Sequence, residues 1–145
     1  MKYSINKDGL ELIKWFEGLS LKAYKCPANV WTIGYGHTGF DVSEGMLIST
    51  ERAEELLKQD LEKFENIVNR GLKVEVTENQ FSALVSLCYN IGGGAFLKST
   101  ALRKVNLLDF DGAVEGIKMW NKAGGRILAG LVNRRNAECI LFVRD

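Results

Sequence analysis

Tyr24-Lys25-Cys26-Pro27-Ala28-Asn29-Val30-Trp31-Thr32-Ile33-Gly34-Tyr35-Gly36-His37-Thr38 is the stretch on which the fold turns. Pro27-Ala28-Asn29 is a turn signal, and aromatic and β-branched residues lie beyond it, so a small β-hairpin is predicted. If three residues make the turn, Cys26 lies opposite Val30 and diagonally across from Thr32 on the same face.

Immediately before the hairpin, residues 6–16 read as a helix with Asn6 as its N-cap and Gly18 just past its end. Leu10, Ile13 and Glu17 share one stripe at the i, i+3, i+7 spacing, the side expected to face the core. A carboxyl therefore takes a place that an apolar residue would normally fill. Burial raises the pKa of a carboxyl so placed, and so does the partial negative charge of a helix C-terminus, which lets it donate a proton at neutral pH. Taken alone, Glu17 reads more simply as a solvent-facing glutamate at a frayed helix end. With a thiol and a hydroxyl following at short spacings, a carboxyl, Cys26 and Thr32 would surround one cleft.

The run Glu17-x8-Cys26-x5-Thr32, with Gly34-Tyr35-Gly36-His37-Thr38 behind it, resembles the phage lysozyme (endolysin) family, the muramidases of T-even and lambdoid phages. The resemblance continues through Gln59-Asp60, Tyr89-Asn90-Ile91-Gly92, Ser99-Thr100-Ala101-Leu102-Arg103, Trp120 and Gly130-Leu131-Val132-Asn133-Arg134-Arg135, and so covers nearly all of the chain. It implies a lysozyme-like α+β fold in a single domain of residues 1–145, with lobes of about 1–60 and 61–145. A small N-terminal lobe with the hairpin would be joined by a long helix to a helical C-terminal lobe. Glu17, Cys26 and Thr32 take the catalytic positions in this resemblance, and Thr38, Tyr89, Asn90, Thr100 and Arg134 the substrate-binding ones. Arg134 resembles the arginine that contacts the catalytic glutamate, with adjacent Arg135 as the alternative register. His37, the sole histidine, is paired with Asp60 as a structural tie between hairpin and helix, not as a catalytic group.

Composition agrees with one compact unit. A chain of 145 residues is long enough for a substantial core, burying about 68–70% of the surface an unfolded chain of that size exposes. No apolar run approaches the roughly 20 residues that span a bilayer. The first eight residues carry no apolar stretch of the signal-peptide kind. The expected location is the host cytoplasm, with action on the wall after release, for which the resemblance implies a holin-type membrane pore. The expected partner is bacterial peptidoglycan, met as a monomer and without nucleic acid; a net charge of +1 argues against strong long-range attraction to nucleic acid or to an anionic wall. That charge is uneven: residues 95–145 are net +4 and residues 1–94 net −3, so a basic C-terminal part could face an anionic polymer such as peptidoglycan, with solvated surface charge the more common explanation. Three cysteines make no disulfide framework and their spacing fits no zinc site, so no metal or cofactor is expected. Cys88 and Cys139 lie in apolar helical runs and read as core.

Beyond the hairpin, irregular chain to about residue 48 leads to a long helix over about 50–69 that Ser49 and Thr50 can cap. Thr77-x-x-Gln80 is a capping box opening a further helix, which Gly92-Gly93-Gly94 stops. Helical patterns follow at roughly 99–107, 110–122 and 129–143.

Many members of the family have Asp where this chain has Cys26. Glycoside hydrolysis needs an acid for the leaving oxygen and a base or nucleophile on the opposite side of the sugar. Glu17 fills the first role; for the second, the Cys26 thiolate either activates water held by Thr32 or attacks the anomeric carbon. Capping and reduction of the thiol would then form a redox switch. Two other classes stand beside the muramidase. One is a lytic transglycosylase using Glu17 alone, and the other a non-catalytic peptidoglycan-binding protein.

Overall fold

A computed structural model of the chain describes residues 2–144. It divides into two compact units, Ile13–Lys63, and Met1–Leu12 together with Phe64–Asp145. Among the described residues there are seven α-helices, a three-stranded antiparallel sheet and a two-stranded one, the α+β class expected.

The smaller unit begins in helix α1 (Lys7–Glu17) and continues through β1 (Ser20–Lys25), β2 (Trp31–Gly34) and β3 (His37–Thr38) into helix α2 (Thr50–Gly71). Asn6 caps α1 by accepting the Gly9 N–H on Oδ1 at 2.9 Å, and Gly18, with φ +74°, ends it. The sheet runs in the order β1-β2-β3, with Lys25 opposite Trp31 and Thr32 opposite both Tyr24 and Thr38. Residues 46–48 add main-chain bonds to the other edge of β1, from Ala23 N to Met46 O and from Ile48 N to Leu21 O. Ala23, Ile33, Val42 and Leu56 form the core, with Trp31, Met46 and Ile48 packed against it. Ser49 caps α2 by accepting the Arg52 N–H on its hydroxyl.

In the larger unit α3 (Glu78–Ile91) is the buried centre, solvent-free from Phe81 to Cys88. The predicted capping box is present in full: Thr77 Oγ1 accepts the Gln80 N–H, and the Gln80 side chain accepts the Thr77 N–H. Around α3 lie α4 (Gly93–Leu97), α5 (Thr100–Asn106), α6 (Phe110–Lys118) and α7 (Ala129–Val143). Residues 2–12 belong to this unit: Tyr3 stacks on Phe81 at 5.3 Å, its main chain exchanges two hydrogen bonds with Asn69, and the Asn6 N–H reaches Ser82 Oγ.

Two expectations are corrected. Of the three glycines at 92–94, only Gly92 stops α3; Gly93 and Gly94 open α4, whose Phe96 is fully buried and anchors the new turn. The helix predicted over 110–122 stops at Lys118, and a hairpin of β4 (Lys122–Ala123) and β5 (Arg126–Ile127) follows. Gly124 and Gly125 both have positive φ, the backbone of a two-residue hairpin turn that only glycine adopts freely.

Helices α5 and α6 touch backbone to backbone at Gly116, where an added Cβ would lie 2.6 Å from Ala101 N. Gly116→Ala is expected to destabilise the protein by about 1–3 kcal/mol, read as a lowered denaturant midpoint. An unchanged midpoint would contradict this packing.

Candidate active site

The hairpin closes through the three-residue turn expected. Asn29 N–H donates to Cys26 O at 2.8 Å, Cys26 N–H donates to Val30 O at 3.0 Å, and Asn29 takes the left-handed backbone with φ 63°. This is a β-turn completed by a residue in the left-handed region, which short-chain polar asparagine tolerates. Cys26 therefore stands opposite Val30 with Thr32 diagonal to it. Thr32 is buried, and its hydroxyl donates to Val30 O at 3.0 Å while also lying within reach of the Cys26 sulfur. The thiol itself is partly exposed. The Val30 and Ala28 N–H groups, followed by the Thr32 hydroxyl, hold its pKa below the usual thiol value, against a smaller opposing effect of desolvation. Cys88 and Cys139 are the opposite case: burial pushes the first up to about 12 and the second up to about 11, as expected of core thiols.

Glu17 is the last residue of α1 and is half-buried, three residues ahead of the strand that leads to Cys26. One turn earlier Lys14 is fixed by Glu54 at 2.7 Å and sits over the Tyr35 ring. The same unit holds Thr38, exposed on β3 opposite Thr32.

His37 is clamped from both sides. Its Nδ1 lies 2.8 Å from Asp60 Oδ2 on α2, and its Nε2 lies 3.0 Å from Asp41 Oδ2. Two ring nitrogens facing two carboxylates suit the doubly protonated imidazolium. Burial pulls the ring's pKa down, but Asp60 and Asp41 outweigh it and the net shift is upward; His37 in turn lowers the pKa of Asp41. The tie to α2 through Asp60 is the one read from the sequence. Asp41 is a second partner that sequence reasoning missed, although its i+4 position was a signal.

In the larger unit, Tyr89 and Asn90 lie at the end of α3. Tyr89 meets Phe64 edge-on at 5.1 Å, and Asn90 Oδ1 accepts from Arg135 Nη2 at 2.7 Å. Arg134 and Arg135 are both buried, beside the wholly buried Glu138. Arg135 Nε is 2.8 Å from Glu138 Oε1, Arg134 Nε is 3.4 Å from Oε2, and Ser86 Oγ donates to Oε2 at 2.6 Å. Burial pushes the Glu138 carboxyl up and outweighs the guanidiniums of Arg135 and Arg134, which pull it down; both guanidiniums and the Ser86 hydroxyl converge on this carboxyl. Arg135 also reaches Trp120 O at 3.3 Å, so it serves to fix Asn90 and the chain after α6. Glu138 and Ser86 were not anticipated as members of this group. Thr100 occupies the first position of α5, behind the N-cap Ser99, and is half-buried.

The model of the family described as phage lysozyme matches residues 14–138, which takes in every site residue expected from the sequence. The chain belongs to the phage lysozyme family. It is similar to the endolysin of Bacillus phage B103, with 47% identity over 97% of this chain and 54% of that protein, so it spans about half the length of that relative. Against the endolysin of Acyrthosiphon pisum secondary endosymbiont phage 1, identity is 46% over 95% of this chain and 97% of that one. Among solved structures, the muramidase domain of SpmX from Asticaccaulis excentricus superposes with a TM-score of 0.93 at 40% identity, covering 99% of this chain and all of that domain. The fold is thus the lysozyme-like one that the sequence implied.

The His37 clamp is expected to make the stability of this chain pH-dependent. A raised histidine stabilises fully below the ordinary imidazole value and loses that contribution as pH rises through the folded one. The lowered Asp41 stabilises above the ordinary carboxylate value and loses it as pH falls through its folded one. The clamp therefore contributes most between about pH 4 and 6.5. His37→Gln is expected to lower Tm most in that window and least in alkaline solution, and Asp60→Asn to lower Tm while leaving turnover below the new Tm near normal. A Tm difference independent of pH, or a large rate loss at unchanged Tm, would contradict a structural role.

Proposed function

We propose that this chain is an endolysin muramidase that hydrolyses the β-1,4 bond between N-acetylmuramic acid and N-acetylglucosamine in bacterial peptidoglycan, acting with Cys26 where many phage lysozymes of the T-even and lambdoid type carry Asp. The observation that carries this reading is the Cys26 thiol, partly exposed on the hairpin and held below the usual thiol value by the Val30 and Ala28 N–H groups and Thr32. An ordinary thiol with pKa near 8.5 is only a few per cent thiolate at neutral pH, and a lowered one is more so.

In the proposed reaction Glu17 delivers its proton to the glycosidic oxygen as the C–O bond breaks, and the leaving sugar departs as an alcohol. On the other face the Cys26 thiolate either takes a proton from a water positioned by Thr32, whose oxygen bonds to the anomeric carbon, or bonds to that carbon itself until water displaces it. The anomer released tells the two apart, since the first inverts configuration and the second retains it. Family membership supports substrate-binding roles for Thr38, Tyr89, Asn90, Thr100 and Arg134, with His37 and Asp60 structural. The proposal includes a monomer of one lysozyme-like domain, made in the host cytoplasm and released to the wall through a holin-type pore; no described helix is long and apolar enough to cross a membrane.

Digestion of purified peptidoglycan with analysis of fragment ends is the test. New reducing ends are expected; anhydro ends would replace hydrolysis by transglycosylation with Glu17 alone, and no cleavage would leave a binding protein. Glu17→Gln is expected to abolish cleavage in a folded protein. Cys26→Ser should fall by orders of magnitude, because an alcohol ionises far less readily than a thiol, whereas Cys26→Asp keeps measurable activity. Wild-type rates in folded Cys26→Ser would remove Cys26 from the mechanism.

A further inference from the structure

At the end of α2 the larger unit holds a cavity of about 610 Å³, within the size range of small-molecule sites. Arg70, Lys73, Lys98 and Arg103 line it together with Leu97 and Leu107, and no carboxylate does. Among the described residues none of these four cations is held in an ion pair, unlike Lys104, which Asp109 holds, and Arg144, which Asp8 holds. The wall is fixed from within: Asn106 Oδ1 accepts the Lys73 N–H at 2.8 Å, and its Nδ2 donates to Gly71 O at 3.0 Å.

Two of the lining residues, Leu97 and Leu107, are apolar and face water. Leu97 is 49% exposed, Leu107 67% and Leu108, next in sequence, 62%. Leu108 has φ 60° at the C-terminal end of α5, where the Asp109 N–H returns to Lys104 O; glycine usually takes this left-handed position. The fold holds a large apolar side chain outward at a site that disfavours any side chain. Four unpaired cations call for an anion, but a water-soluble polyanion would leave the three leucines wet. An anionic lipid meets both demands, with phosphate among the cations and the leucines against the acyl region.

We propose that this cavity docks the headgroup of an anionic phospholipid and so seats the chain on an anionic membrane surface. The residues lie outside the proposed catalytic set, and the inference stands independently of the muramidase reading. The test is flotation of the 145-residue chain with vesicles of phosphatidylglycerol mixed into phosphatidylcholine, with phosphatidylcholine alone, and in parallel its binding to soluble poly(glycerol phosphate). Lys73, Arg103, Leu107 and Leu108 are all exposed, so their variants keep the fold, which Tm checks. The wild-type chain is expected to float with the anionic vesicles and not with the neutral ones. Lys73→Glu with Arg103→Glu should weaken that partition by at least about 25-fold, since each basic residue near such a surface contributes roughly fivefold. Leu107→Ser with Leu108→Ser should weaken it as well, without changing the rate of peptidoglycan digestion. Equal partition onto neutral vesicles would overturn the proposal. So would partition indifferent to the charge reversals, or binding of poly(glycerol phosphate) without any vesicle binding.

Discussion

A three-residue turn sets the thiol and the hydroxyl that the proposed chemistry requires in addition to Glu17. Asn29 in the left-handed region brings Val30 opposite Cys26, and one residue more or fewer in that loop would rotate Thr32 to the other face of the sheet. With the register so fixed, the thiol meets backbone N–H groups instead of water alone, and the Thr32 hydroxyl stands beside it. Partial positive charge supplied by the main chain does for this sulfur what a neighbouring lysine or histidine does in other reactive thiols. The sheet is then pinned from the other side, because His37 on β3 ties to Asp60 on α2 and Asp41 closes over the ring.

In the proposed reading a thiol takes the place of a carboxylate, which changes the electrostatics of the site. Two carboxylates repel each other when both are ionised, whereas a neutral thiol does not add to the charge around Glu17 until it gives up its proton. Ionisation is therefore controlled chiefly by the hairpin's own N–H groups, a local device that a single strand and turn can supply. The larger unit solves a different electrostatic problem. Two guanidiniums are buried on α7 with one carboxylate between them, and Ser86 and Asn90 on α3 satisfy part of the remaining hydrogen-bonding demand. That network locks α7 against α3 and fixes Asn90 at the end of the helix.

What was legible in the sequence was local. Asn6, Ser49 and the Thr77–Gln80 box act within four residues of themselves, so helix starts could be read without knowing the partners. Pro27-Ala28-Asn29 likewise contains its own geometry. The hairpin at β4 and β5 escaped because each strand has only two residues, all of them exposed, which leaves no alternation to detect. Glu138 escaped for the converse reason: a glutamate three and four residues beyond two arginines reads as a solvated helix face, and its burial depends on Ser86, 52 positions away. The basic cavity too is assembled from separate segments, the end of α2 and the run from α4 through α5, and the C-terminal excess of positive charge was its only trace.

The central claim is that Cys26 acts as a thiolate whose pKa is lowered by the hairpin. Because burial holds Cys88 at about 12 and Cys139 at about 11, alkylation below those values reports on Cys26 alone. The decisive measurement is the pH dependence of the alkylation rate of Cys26 set beside that of kcat/KM for peptidoglycan cleavage. The account predicts one shared ionisation, below the ordinary thiol value of about 8.5, that raises both rates. A Cys26 that ionises at or above that value, or a kcat/KM that does not follow its ionisation, would contradict it.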